Sequence, residues 1–105
     1  MKTYDIIMTE RAMENLEMMY EYISDVLLAP ESAKRQYERI VQEISNLCTF
    51  PERFQLFPAK PKRLQGLRRM VIDRYSVFYK IEKDKVVVMN VLYNSLDLKE
   101  YFSSR

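Results

Sequence analysis

The sequence has no histidine, one cysteine and one glycine. Each scarcity removes a class of chemistry. With no histidine and only scattered acidic residues beside the one cysteine, neither a zinc site nor a Ser-His-Asp or Cys-His arrangement can be assembled. Cys48 cannot close an intramolecular disulfide, and it lies among apolar residues of an expected helix. It reads as a small core residue in a reducing compartment. No GxxxxGK[ST] or GxGxxG segment is present, which argues against a phosphate-cradling nucleotide site. Any enzymatic activity must therefore use Arg, Lys, Tyr or carboxylates, and no metal or other cofactor is expected. The start of the chain lacks a basic segment followed by an apolar one, and no run approaches the ~18 apolar residues of a membrane span. The expectation is a cytoplasmic protein with no membrane contact.

What is present describes one folded unit. A chain of 105 residues has room for one domain, 1–105, because a second core would have too little chain to bury it. Hydrophobic residues make up 48% and charged residues 30%, far from the signature of disorder. The net charge of +2 is too small to argue nucleic-acid binding by itself, so any such case rests on where the charges sit.

Tyr4 to Met8 form a short apolar run bounded by Thr9, which predicts a strand ending at a helix N-cap, with Met8 stapled to Met13. From Glu10, the positions Ala12, Leu16, Met19, Ile23 and Val26/Leu27 recur at helical steps. That helix must stop before Pro30, which suits the first turn of a second helix. Ala33, Tyr37, Ile40, Ile44 and Leu47 are its expected inner face. Pro51, Pro58 and Pro61 break the next stretch into a loop that carries Lys60, Lys62 and Arg63. Three runs rich in β-branched and aromatic residues follow, Leu67–Ile72, Tyr75–Glu82 and Lys85–Tyr93, joined by short turns. The predicted fold is α+β in the order β-α-α-β-β-β, a helix hairpin packed on a small antiparallel sheet.

Alternation places Tyr75, Val77, Tyr79 and Ile81 opposite Ser76, Phe78, Lys80 and Glu82. In the last strand it groups Val86, Val88 and Leu92 against Val87, Met89, Val91 and Tyr93. Both sheet faces thus carry apolar groups, so something must cover the second one. The candidates are the loop Phe50–Phe57 with the tail Leu98–Phe102, or a partner segment.

Several segments together resemble the RelE/ParE toxin superfamily. They are Phe50-Pro51, Gly66-Leu67-Arg68, Arg74-Tyr75-Ser76-Val77-Phe78-Tyr79 and Val91-Leu92-Tyr93-Asn94-Ser95-Leu96-Asp97. The resemblance covers nearly the whole chain and implies the toxin of a type II toxin–antitoxin pair, neutralised by a cognate antitoxin. It also implies one of two targets. ParE-like members inhibit DNA gyrase, whereas RelE-like members cut ribosome-bound messenger RNA with basic residues and an aromatic or histidine. Arg68, Arg69, Arg74 and Tyr93 are the residues that would carry such cleavage. Tyr75, Tyr79, Leu98, Tyr101 and Phe102 are the candidates for partner binding.

The chain departs from the nuclease pattern at two places. Ser95 and Leu96 stand where many relatives have two arginines, and Ser76 stands where a basic residue often follows the strand tyrosine. Each lost donor is worth about 3 kcal/mol of transition-state stabilisation in a comparable site. A third alternative is the toxin fold without toxicity, kept as an interaction module. Each candidate also has a structural reading. Arg68 and Arg69 alternate sides of a strand, so one is expected to face the functional surface and the other to pair with a helix carboxylate. The tyrosines would fill core with their rings, and Asp97 would cap a short helix from Leu98 to Phe102.

Overall fold

Thr9 fixes where the first strand becomes a helix. Its hydroxyl oxygen accepts the Ala12 N–H at 3.1 Å and donates to the Val88 carbonyl at 2.9 Å, so one side chain caps the helix and ties its start to the sheet. In the computed structural model, which describes residues 2–58 and 66–94, the elements are β1 (Asp5–Met8), α1 (Glu10–Glu21), α2 (Pro30–Ser45), β2 (Arg68–Ile72), β3 (Tyr75–Glu82) and β4 (Lys85–Tyr93). This is the expected β-α-α-β-β-β order. The meander β2-β3-β4 is antiparallel. β1, whose pairing the sequence left open, joins it in parallel beside β4, giving the order β1-β4-β3-β2.

The helices cover one sheet face. Ala12, Leu16 and Met19 of α1 meet Ile40 and Ile44 of α2 over Val77, Tyr79, Val86, Val88 and Val91. Two expected inner residues of the hairpin lie elsewhere. Val26 and Leu27 are 64% and 55% exposed, because the end of the first helix widens into a π-helical turn over Tyr22–Val26, closed by Leu27 N–H to Tyr22 C=O at 3.0 Å. The extra residue in that turn rotates the stripe out of phase after Ile23. Tyr37 is also largely outside. Its ring meets Tyr20 edge-on at 6.0 Å on the surface of the helical layer.

The phase of β4 differs from strict alternation for a similar reason. Phe78 is opposite Asn90 but Tyr79 is opposite Val88, so Met89 is an extra residue, a β-bulge. Beyond it Val91 joins Val86 and Val88 in the core beneath the helices, and Leu92 turns to the other face with Phe78 and Leu67. Strict alternation would have kept Leu92 with Val86 and Val88. Asn15 of α1 accepts the Val91 N–H at 3.0 Å, which satisfies a main-chain donor just past the bulge.

Candidate functional site

The second sheet face is built from the meander and the loop before it. Phe57 lies edge-on to Phe78, with centroids 5.0 Å apart, and packs with Leu67 and Leu92. Part of the Phe50–Phe57 loop thus covers the apolar centre of this face. Phe50 itself stays 70% exposed, in a left-handed conformation with φ of 52°. Exposed apolar side chains cluster instead on the helical layer, at Met13, Met18, Tyr22, Val26, Leu27 and Leu28.

Neither strand arginine meets a helix carboxylate. Arg68 donates through Nη1 to the carbonyls of Glu52 at 3.1 Å and Phe54 at 2.7 Å, so it fastens the loop to β2. Arg69 donates through Nε to Ser76 Oγ at 2.8 Å and through Nη2 to Asn94 Oδ1 at 3.4 Å, and its guanidinium sits 6.0 Å from the Phe57 ring centroid. Ser76 Oγ in turn donates to Asn94 Oδ1. The expectation that one arginine pairs with a helical acid fails because the loop before β2, the neighbouring strand β3 and Asn94 after β4 present neutral acceptors closer at hand. Such an acid–base clamp does exist elsewhere, where Arg39 and Gln36 of α2 hold Asp73 at 2.7 and 3.1 Å in the turn between β2 and β3. Asp73 has φ of 57° in that turn.

Tyr79 is a core residue, not part of a partner surface. It is fully buried, and its hydroxyl donates to the Pro51 carbonyl at 2.6 Å. Burial, partly offset by Arg68 and Arg53, pushes its pKa up to about 12. Tyr75 and Tyr93 do come together. They are cross-strand partners with centroids 5.4 Å apart, and burial first, then Tyr93 and Tyr22, raises the Tyr75 pKa above its ordinary value. With Arg74 they line one wall of a groove of about 800 Å³ whose other wall includes Met18, Tyr22 and Leu27. Leu98, Tyr101 and Phe102 lie outside the described residues, as do Lys60, Lys62 and Arg63.

The structure therefore divides the four arginine and tyrosine candidates for cleavage into separate places. Arg68 holds the loop, Arg69 joins Ser76 and Asn94, and Arg74 and Tyr93 border the groove. The sequence alone marks Ser76 as a departure from the nuclease pattern and Asn94 only as part of a segment that carries the resemblance. The cross-strand register was the missing signal: residue 76 faces 92, so it lies one step from the strand end where Asn94 leaves. Among the described residues, no group of three or more His, Cys, Asp or Glu side chains is placed to share a metal ion. No helix there is long and apolar enough to cross a membrane.

Residues 6–97 match the family model described as ParE toxin of type II toxin-antitoxin system, parDE. The chain belongs to this family. It is a toxin of a type II toxin–antitoxin system, with the fold of the wider RelE/ParE group. Solved structures share that fold at low sequence identity. The chromosomal ParDE toxin–antitoxin system from P. aeruginosa superposes with a TM-score of 0.71 at 17% identity, over 87% of this chain and 96% of that one. The RelBE2 toxin–antitoxin complex from Mycobacterium tuberculosis gives 0.63 at 21%, over 89% and 93%. The RelB–RelE antitoxin–toxin complex from Methanococcus jannaschii gives 0.53 at 16%, over 91% and 98%. No curated protein matches the sequence.

Proposed function

We propose that this ParE-family toxin stops growth by binding a protein target in the cytoplasm, DNA gyrase, and not by cutting ribosome-bound messenger RNA. The observation that carries this reading is the state of its arginines. Phosphoester cleavage needs cationic groups free to meet developing phosphate charge, and a group that exchanges a proton near neutrality. Arg68 is bound to two loop carbonyls and Arg69 to Ser76 and Asn94. Tyr75 is driven further from neutrality by burial. Arg74 and Tyr93 remain, beside an apolar groove better suited to a protein surface than to a phosphodiester.

A cognate antitoxin keeps the toxin silent in this reading. Support comes from the family match and from the solved relatives, each described as a toxin–antitoxin system or complex. Tyr75 and Tyr93, at the mouth of the groove with Met18, Tyr22 and Leu27, are the surface we assign to it.

Two assays on the same purified chain decide the target. Supercoiling by purified DNA gyrase should fall as toxin is added, and primer extension on translated messenger RNA should show no codon-positioned cuts. Cuts that vanish in Arg69→Ala, with gyrase unaffected, would replace this proposal with the RelE-like one. Induction without any effect on growth would leave a toxin fold serving as an interaction module.

A further inference from the structure

Phe50 is 70% exposed, has a φ of 52° and precedes a proline. The left-handed region crowds a Cβ and suits glycine, and a following proline ring presses its predecessor towards extended backbone. A bulky residue in that place is strained. The turn has a structural purpose, because it carries Pro51 into the interior, where that residue is buried. Glycine would make the same turn without the strain. The Phe50 ring belongs to neither core cluster, so the fold gains little from it.

The main chain on both sides of the ring is held. Arg53 donates to the carbonyls of Thr49 at 2.7 Å and Phe50 at 2.9 Å, Tyr79 to that of Pro51, and Arg68 to those of Glu52 and Phe54. Tyr4 N–H donates to the Cys48 carbonyl at 2.7 Å. An aromatic ring is thus displayed on a stiff loop, and little main-chain freedom is lost when a partner closes over it. Lys2, Tyr4 and Glu52 frame a shallow cleft of about 320 Å³ beside the ring, with the Tyr4 hydroxyl donating to Glu52 at 3.1 Å. Tyr79, which holds Pro51, lies further along β3 than Tyr75 by roughly 13 Å of strand. The Phe50 cleft therefore shares no residue with the groove assigned to the antitoxin.

We propose that Phe50 is the anchor by which this toxin grips its target, an inference that rests on the gyrase reading only in that the target is a protein. The ring enters an apolar pocket on the target, and Lys2 and Glu52 meet polar groups at its rim. Aromatic anchors with a polar rim are how protein interfaces are built, and a few such residues carry most of the binding energy. A nucleic acid fits less well. Lys2 and Glu52 flank the ring with opposite charges, and the carboxylate repels the phosphate that accompanies a stacked base. Strain kept at an exposed site, where glycine would relieve it, is the mark of a residue retained for function at the expense of stability.

The test compares the full-length chain with Phe50→Gly and Phe50→Asn, since both residues tolerate the left-handed region and neither carries the ring. The melting temperature of each should stay level or rise by a few degrees. Inhibition of purified DNA gyrase in a supercoiling assay should weaken at least about thirtyfold, the loss expected of an interface anchor. Growth arrest on induction at matched expression is read beside it. If the parent arrests growth without inhibiting gyrase, the gyrase reading fails, and Phe50 is decided by whether the two variants lose the arrest. The proposal is overturned if a folded variant matches the parent in inhibition or in arrest, or if both variants melt well below it, which makes the ring part of the fold. Binding of a labelled DNA duplex or RNA strand that the parent shows and the variants lose would make the ring a stacking platform and overturn it too. A parent that leaves growth untouched also overturns it, because there is then no target to grip.

Discussion

The helix side of the sheet and its opposite face are closed by different physics. Under the helices, Leu16, Ile40 and Leu47 meet Val77, Val86 and Val88, and the polar side-chain atom at their centre is the Tyr79 hydroxyl, bound to Pro51, while Thr9 and Asn15 bond to β4 at the margin. On the other face, a small apolar patch of Phe57, Leu67, Phe78 and Leu92 sits next to the hydrogen-bonded set Arg69, Ser76 and Asn94. The first face derives its stability from area removed from water, which scales with every carbon buried. The second is smaller and half-wet, so its contacts fix positions more than they add free energy. The side that can change without unfolding the protein is the second one.

The largest expected effect breaks the comparison most directly. Leu47 is fully buried, and Leu47→Ala should cost about 2 to 5 kcal/mol through lost transfer energy and the cavity left behind. Phe57 is half-buried and meets Phe78 edge-on. Phe57→Ala should cost clearly less, on the order of 1 to 2 kcal/mol. Urea unfolding of the two variants makes the measurement. Equal losses would mean that the loop is as much a part of the core as the helices are.

Tyr79→Phe sharpens the contrast inside the dry face. It leaves the Pro51 carbonyl without its 2.6 Å donor, at a cost of roughly 1 to 3 kcal/mol. The same hydroxyl gives a pH signature. Its pKa is pushed up to about 12 in the folded chain from 10.0, so the folded state holds a proton that the unfolded chain has released between those values. Its contribution is fully present below pH 10.0 and is lost as pH rises towards 12. Alkaline unfolding should therefore lose one such step in Tyr79→Phe. An unchanged pH profile would place the hydroxyl in water.

Much of this architecture is readable from residues alone, and the failures share a cause. Thr9, Pro30 and the three β-rich runs act locally, through capping, a fixed φ and side-chain shape, so the sequence shows them. Val26, Leu27 and Leu92 were misplaced because one inserted residue, in the π-helical turn or at Met89, shifts every position after it. Such insertions are stabilised by distant groups, Asn15 on Val91 for the bulge, and leave no local periodicity to read. The candidate site was legible in its residue types but not in its geometry. Arg68 and Arg69 are adjacent in sequence, yet their partners come from residues 52, 54, 76 and 94. Only the register brings those together.

The smallest expected effect tests whether the polar set on the second face is structural or functional. Ser76→Ala removes the acceptor for Arg69 Nε and the donor to Asn94, while Arg69 keeps its longer contact to Asn94 at 3.4 Å and its place near Phe57. Arg69 is partly exposed, so water can replace the lost bond, and the cost should be on the order of 0.5 to 1 kcal/mol. Because all three side chains form one network, Ser76→Ala combined with Asn94→Ala should cost less than the two changes summed. Toxicity is the more telling readout. If the target is met through the groove of Tyr75 and Tyr93, gyrase inhibition by Ser76→Ala should match the parent once the folded fractions are equal. A loss of inhibition far beyond the loss of stability would show that Arg69 has to be held in this orientation to meet the target. The functional surface would then extend from the groove across β2 to the loop that Arg68 fastens.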